Sequence, residues 1–141
     1  MASEPTPAPA DGPLGELTLR TLAMPADVNV NGDIFGGWVL SQMDIAGGIL
    51  GGARARGRVA TVAIDAMKFI RPVRVGDVLC IYGRIERVGR SSMAIAIEAW
   101  VLRDRIGARE KVTEAMFTFV AIDAAGRPRP VDAPPSEAPE S

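Results

Sequence analysis

The chain has 141 residues, 48% of them hydrophobic and 23% charged, with a net charge of −1 and no histidine. That mixture describes one folded domain with a modest core and excludes a disordered chain or a strongly basic nucleic-acid binder. Without imidazole, Ser-His and Cys-His nucleophile systems and the usual histidine metal ligands are out of reach, so any chemistry falls to carboxylate, hydroxyl and backbone groups.

Nine of the eleven prolines lie in residues 5–13 or 128–139, among Ala, Ser, Glu and Asp that cannot build a core. The expected organisation is therefore a disordered N-terminal tail (1–13), one domain (14–123) and a disordered Pro-rich C-terminal tail (124–141), with no internal repeat. The start MASEPTPAPADG has neither a basic n-region nor an apolar h-region, and the lone Cys80 has no disulfide partner. A cytoplasmic protein is the expectation. The longest apolar-leaning stretch, Trp38–Leu50, is broken by Ser41, Gln42, Asp44 and a glycine pair, far short of the roughly 20 residues needed to span a bilayer. No membrane association is expected.

The first predicted element is a strand over Glu16–Ala23. Next comes Asn29–Asp44, NVNGDIFGGWVLSQMD, in which a polar lead-in and the Gly36-Gly37 pair open an amphipathic helix with one carboxylate two turns inside it. An anion-friendly helix start and a candidate base thus share one element, which makes Asp44 the leading catalytic candidate. Val39, Met43, Ala46 and Leu50 recur at spacings of 4, 3 and 4 and predict the helix's core stripe, with Asp44 at its edge. Gly47, Gly48, Gly51 and Gly52 each cost a helix about 1 kcal/mol relative to alanine, which close packing would offset. Trp38 and Met24, Met43, Met67, Met93 and Met116 read as core residues.

Four further strands are predicted, Val59–Phe69, Asp77–Val88, Ser92–Arg103 and Lys111–Ile122. Met93, Ile95, Ile97, Ala99 and Val101 alternate on one face of the third of these, and Val112, Met116, Val120 and Ile122 are assigned to one face of the last. Partly polar opposite faces suggest burial on one side. Turn signals at Arg74–Asp77, Val88–Ser91, Arg105–Ala108 and Asp123–Gly126 predict consecutive antiparallel hairpins. The result is an α+β domain, one antiparallel five-stranded sheet against one helix, with an exposed edge that invites a second copy.

The order of elements, together with TLAMPADVNVNGDIFGGWVLSQMD (Thr21–Asp44), FIRPVRVGD (Phe69–Asp77), VGRSSM (Val88–Met93) and TEAMFTFVAID (Thr113–Asp123), resembles the hotdog-fold acyl-CoA thioesterases, most closely the short bacterial YciA-like type. The resemblance implies a sheet wrapped around a central helix, a homodimer as minimal unit with a trimer of dimers expected, and active sites at the dimer interface. It implies Asp44 as the catalytic carboxylate, Asn29 as the loop asparagine facing it from the partner subunit, and Gly37 as the backbone N–H donor to the thioester carbonyl. One departure is Phe35, where many relatives carry histidine, so any polar role at that position is absent.

The implied chemistry suits these groups. A thioester has weak carbonyl resonance and a leaving thiolate whose conjugate acid titrates near 8.5, judged from cysteine, so no strong general acid is needed. A base or nucleophile plus an oxyanion donor suffices, and a helix N-terminus supplies the latter. The resemblance places coenzyme A against the Val88–Ser92 hairpin, making Arg90, Ser91 and Ser92 substrate-binding candidates. Phe35, Gly36 and Arg71 complete that set. The run ARARGR at Ala53–Arg58 reads as ordinary compensation of the helix dipole. No cofactor beyond the CoA within the substrate is expected, and no nucleic-acid partner. A non-catalytic acyl-CoA-binding protein on the same fold is the alternative, and a histidine-dependent hydratase is disfavoured because the chain has none.

Overall fold

The computed structural model describes residues 12–103 and 107–133, so most of the expected N-terminal tail, the end of the C-terminal one and part of the third turn signal lie outside the described residues. The elements are β1 (Glu16–Leu22), a short 3-10 turn (Pro25–Asp27), α1 (Gly36–Ala55), β2 (Val59–Phe69), β3 (Val78–Val88), β4 (Ser92–Leu102) and β5 (Arg109–Ala121). They match the predicted order of strand, helix and four strands. The strands form one antiparallel sheet in the order β1-β3-β4-β5-β2, curled around α1 in the manner of a hotdog.

That order corrects the expectation of consecutive hairpins. β3–β4 and β4–β5 are hairpins, but β2 pairs with β5 at the far edge, so the segment between β2 and β3 crosses the sheet. Arg74–Asp77 is a real turn, closed by Asp77 N–H on the Arg74 carbonyl at 3.0 Å, with Gly76 at φ +93°. A turn motif reverses the chain locally without choosing which strand is joined. Buried Asp77 holds this crossover, accepting from Arg74 N–H at 2.8 Å and from Arg103 Nη1 at 2.6 Å. Arg103 also donates to the Pro72 carbonyl at 3.1 Å.

A second correction concerns β5. Its core face is Ala115, Phe117, Phe119 and Ala121, whereas Met116 and Val120 point to the other side. Pairing with β4 jumps from Ala99↔Thr113 to Trp100↔Lys111, leaving Val112 as an extra residue. Such a bulge shifts the alternation by one, which keeps Val112 in the core and breaks the simple period-2 pattern. Burial of β4 is also two-sided. Met93, Ile95, Ile97, Ala99 and Val101 face α1, and Ala94, Glu98 and Trp100 on the other face are buried too. Glu98 is covered because its Oε1 accepts Trp100 Nε1 at 2.8 Å and the Leu14 N–H at 3.3 Å.

The helix buries Val39, Met43, Ala46, Gly47, Gly51 and Ala55, and Leu50 packs against the same core. Trp38 also packs against it, but Met24 is half exposed. Gly47 explains how close the helix lies, since a Cβ there would stand 2.6 Å from the Phe119 ring and 2.9 Å from Ile97 Cδ1. Fully burying side chains such as Phe119 and Ile97 contributes about 1.5–3 kcal/mol each, more than the helix loses at one glycine.

The packed structure extends past Asp123, where the sequence reading ends the domain. After the Asp123–Gly126 turn the chain runs back beside β5, Arg129 N–H bonding the Ala121 carbonyl and Val131 N–H the Arg90 carbonyl, at 2.9 and 2.8 Å. Val131 is 2% exposed. Proline-rich composition hides this, because one apolar residue in register is enough to anchor a short segment.

Candidate active site

Asp44 stands on α1 at the edge of its buried stripe, half-buried, and its Oδ1 accepts the hydroxyl of Thr61 at 2.5 Å. Thr61 is near the start of β2, an edge strand whose outer side pairs with no strand among the described residues. The sequence reading does not single out Thr61. A threonine in a strand is an ordinary β-former, and only the fold shows that this one meets the carboxylate. Exposed Ile45 and Ile49 follow Asp44 on the helix, and exposed Val62 and Ile64 follow Thr61 on the strand. The acid therefore opens onto apolar surface that the described residues leave uncovered.

Eight residues earlier the helix begins at Gly36, about 12 Å away along its axis. Phe35 caps it by its backbone alone, its carbonyl accepting from Trp38 and Val39 at 3.0 and 3.4 Å. The Gly36 and Gly37 N–H groups have no acceptor among the described residues, as the first turn of a helix requires. Gly37 has open space where a Cβ would lie, whereas Gly36 is packed, with Phe69 Cζ 3.3 Å from its hypothetical Cβ. Phe35 itself is half exposed.

A cavity of about 310 Å³ adjoins this end, lined by Asn29, Gly36, Arg71 and apolar Ile34, Phe69 and Val73, among others. Asn29 is occupied in part by its own loop, since its Oδ1 accepts the N–H groups of Asn31 and Asp33 at 2.8 and 3.1 Å. Its side-chain nitrogen has no acceptor among the described residues. Arg71 leans on Glu110 at 3.6 Å and the Lys111 carbonyl at 3.2 Å. Asp44 is not part of this lining, so one chain gathers Asn29, Gly36 and Arg71 at one place and the Asp44–Thr61 pair at another.

The remaining candidates sit at the opposite end of the helix. The Ser91 carbonyl accepts from Ala121 at 2.9 Å and the Ser92 carbonyl from Gly89 at 2.7 Å, while the Arg90 side chain is exposed. Among the described residues no cluster of three His, Cys, Asp or Glu side chains could hold a metal ion, and no helix is long and apolar enough to cross a membrane.

A five-stranded sheet wrapped around one glycine-seated helix, with an acid on the helix flank that the sheet leaves open, is the architecture of the hotdog-fold thioesterases. The chain belongs to the thioesterase superfamily, whose family model matches residues 31–108. It is 57% identical over 120 residues to the acyl-CoA thioester hydrolase YciA of Escherichia coli K12, covering 83% of this chain and 91% of that protein. Among solved structures, a hexameric thioesterase from Yersinia pestis is 56% identical with a TM-score of 0.81, over 86% of this chain and 99% of that one. The Asp44Ala mutant of a hexameric broad specificity acyl-coenzyme A thioesterase is 53% identical with a TM-score of 0.82, over 88% and 91%.

Proposed function

We propose that the protein hydrolyses acyl-CoA thioesters to free CoA and a carboxylic acid, with Asp44 as the base or nucleophile. The observation that carries this reading is the Asp44–Thr61 pair on the open flank of the helix, in a chain 57% identical to proteins named acyl-CoA thioester hydrolases. As a base, Asp44 takes a proton from water while the water oxygen attacks the thioester carbon. As a nucleophile, its carboxylate attacks that carbon, expels CoA thiolate and leaves a mixed anhydride for water to open. Either way the C–S bond breaks and the thiolate leaves without a strong acid.

In both routes negative charge develops on the carbonyl oxygen, and the unpartnered amides at Gly36 and Gly37 suit it, worth roughly 3–4 kcal/mol for a single oxyanion donor; lying about 10–12 Å from Asp44 of their own chain, they serve the acid of a second copy. Thr61 fixes one carboxylate oxygen, leaving the other for the reaction. Asn29 then orients water or substrate from a second copy, because its cavity is separate from Asp44 within one chain. The second copy joins at the open edge of β2, covering Ile45, Ile49, Val62 and Ile64 and making a homodimer the minimal unit. A trimer of dimers fits the hexamers formed by the solved relatives. The enzyme works in the cytoplasm and needs no cofactor.

The test is release of free thiol from a panel of acyl-CoAs. Asp44→Ala is expected to lose about 10²- to 10⁴-fold in rate with its melting transition retained, since the side chain is half exposed. Turnover by Asp44→Ala near that of the unmodified protein would refute the assignment, and binding without thiol release by the unmodified protein would favour a non-catalytic acyl-CoA binder.

A further inference from the structure

Arg103 directly follows β4 and clasps the segment that crosses the sheet between β2 and β3. Each of its guanidinium nitrogens goes to a different acceptor, Nη1 to Asp77 Oδ2 at 2.6 Å, Nη2 to the Pro72 carbonyl at 3.1 Å and Nε to Glu110 Oε1 at 3.1 Å. The Arg103 side chain is 21% exposed and that of Asp77 7%, so the pair is held away from water, where geometry counts for more than it does at a surface ion pair. A planar fork matches three fixed acceptors, which a lysine ammonium on a flexible stem does not.

From this clasp two paths lead to the start of α1. Pro72 is followed by Val73, whose carbonyl accepts the Ile34 N–H at 3.0 Å. Both Val73 and Ile34 are buried, and both line the cavity of about 310 Å³ beside Asn29 and Gly36. Ile34 also bridges to Val28, and the Phe35 N–H bonds the Asp27 carbonyl at 3.0 Å. The loop that carries Asn29 is thus closed on itself and leans on the crossover at Val73, two residues before the helix begins. The second path runs through Glu110, whose Oε1 is shared between Arg103 and the Nε of Arg71 at 3.6 Å. Arg71 lines the same cavity.

We propose that Arg103 is a positioning residue for hydrolysis. Through Pro72 and Val73 it fixes the loop that aims the Gly36 and Gly37 N–H groups and Asn29 at the thioester, acting through the backbone and not by contact with the reacting atoms. This rests on the acyl-CoA reading above. Oxyanion donors act chiefly on charge that develops in the transition state, so a shift in their aim lowers kcat and leaves KM nearly unchanged.

The test follows hydrolysis of an acyl-CoA by Arg103→Met and by Arg103→Met with Asp77→Asn, below the melting transition of each. The second variant removes the buried charge that the first leaves unpaired. In both, kcat is expected to fall about 10- to 100-fold, the scale of a misplacement near 1 Å, with KM within about twofold. Hydrogen exchange is expected to quicken in peptides spanning Asn29–Trp38 and not in those from Met93–Val101 of β4. Arg103→Lys, which can keep one of the three bonds, should recover part of kcat. An unchanged kcat in the double variant, or exchange that quickens equally in β4, overturns the positioning role and leaves the function standing. No thiol release by the unmodified protein from any acyl-CoA overturns the acyl-CoA reading itself.

Discussion

β2 and β4 have the same length and nearly the same hydrophobic content, VATVAIDAMKF against SMAIAIEAWVL, yet their fates in one chain are opposite. Ile95, Ile97 and Val101 of β4 are wholly buried, whereas Val62 of β2 is 57% exposed. A strand of that composition at an open edge is costly in isolation and prone to pair. The difference teaches where the molecule is finished and where it awaits another surface. β4 stabilises the fold of the chain, and β2, which carries Thr61, is the strand at which the proposed partner would join.

Three changes test that division. Ile97→Ala on β4 should have the largest effect on stability, about 2–5 kcal/mol lost for a buried isoleucine, read by denaturant unfolding. A loss below 1 kcal/mol would mean that the centre of the sheet is not the core. Ile64→Asp on β2 should do the reverse, splitting the oligomer in sedimentation and cutting thiol release while the single chain stays folded, because a charge cannot be buried unpaired at an apolar contact. A variant that keeps both its mass and its activity would place the interface elsewhere. Thr61→Val should be mildest, removing one hydrogen bond to a charged group worth about 1.5–3 kcal/mol, or a loss of roughly tenfold to a hundredfold in kcat with assembly unchanged. No change in kcat would make Thr61 a bystander of Asp44.

Much of the fold could be read from residues alone. Every strand and the helix are foreseen within a few residues, because periodicity and turn chemistry are local. The errors arise where a local pattern must answer a non-local question. RVGD signals a turn but not a crossover, and the bulge at Val112 moves a face of β5 without any mark in its sequence. The site divides in the same way. Asp44 and the glycine pair are proposed from the sequence because they lie within a longer stretch, Thr21–Asp44, that resembles the family's motif. Thr61 and Arg103 do not stand out, since their meaning comes from what the fold sets beside them.

Gly47 lies three residues beyond the acid and has no functional group to offer. A methyl group there would begin 2.6 Å from Phe119 and need about 1 Å more to reach an ordinary carbon–carbon separation. Whatever moved to make that room would shift α1 relative to the strands and change the reach from Asp44 to Thr61. In the proposed mechanism misplacement by 1 Å can cost about 10²-fold in rate, so the depth at which the carboxylate rides is set, in large part, by a hydrogen atom less than one turn further along its helix, on the adjoining buried face.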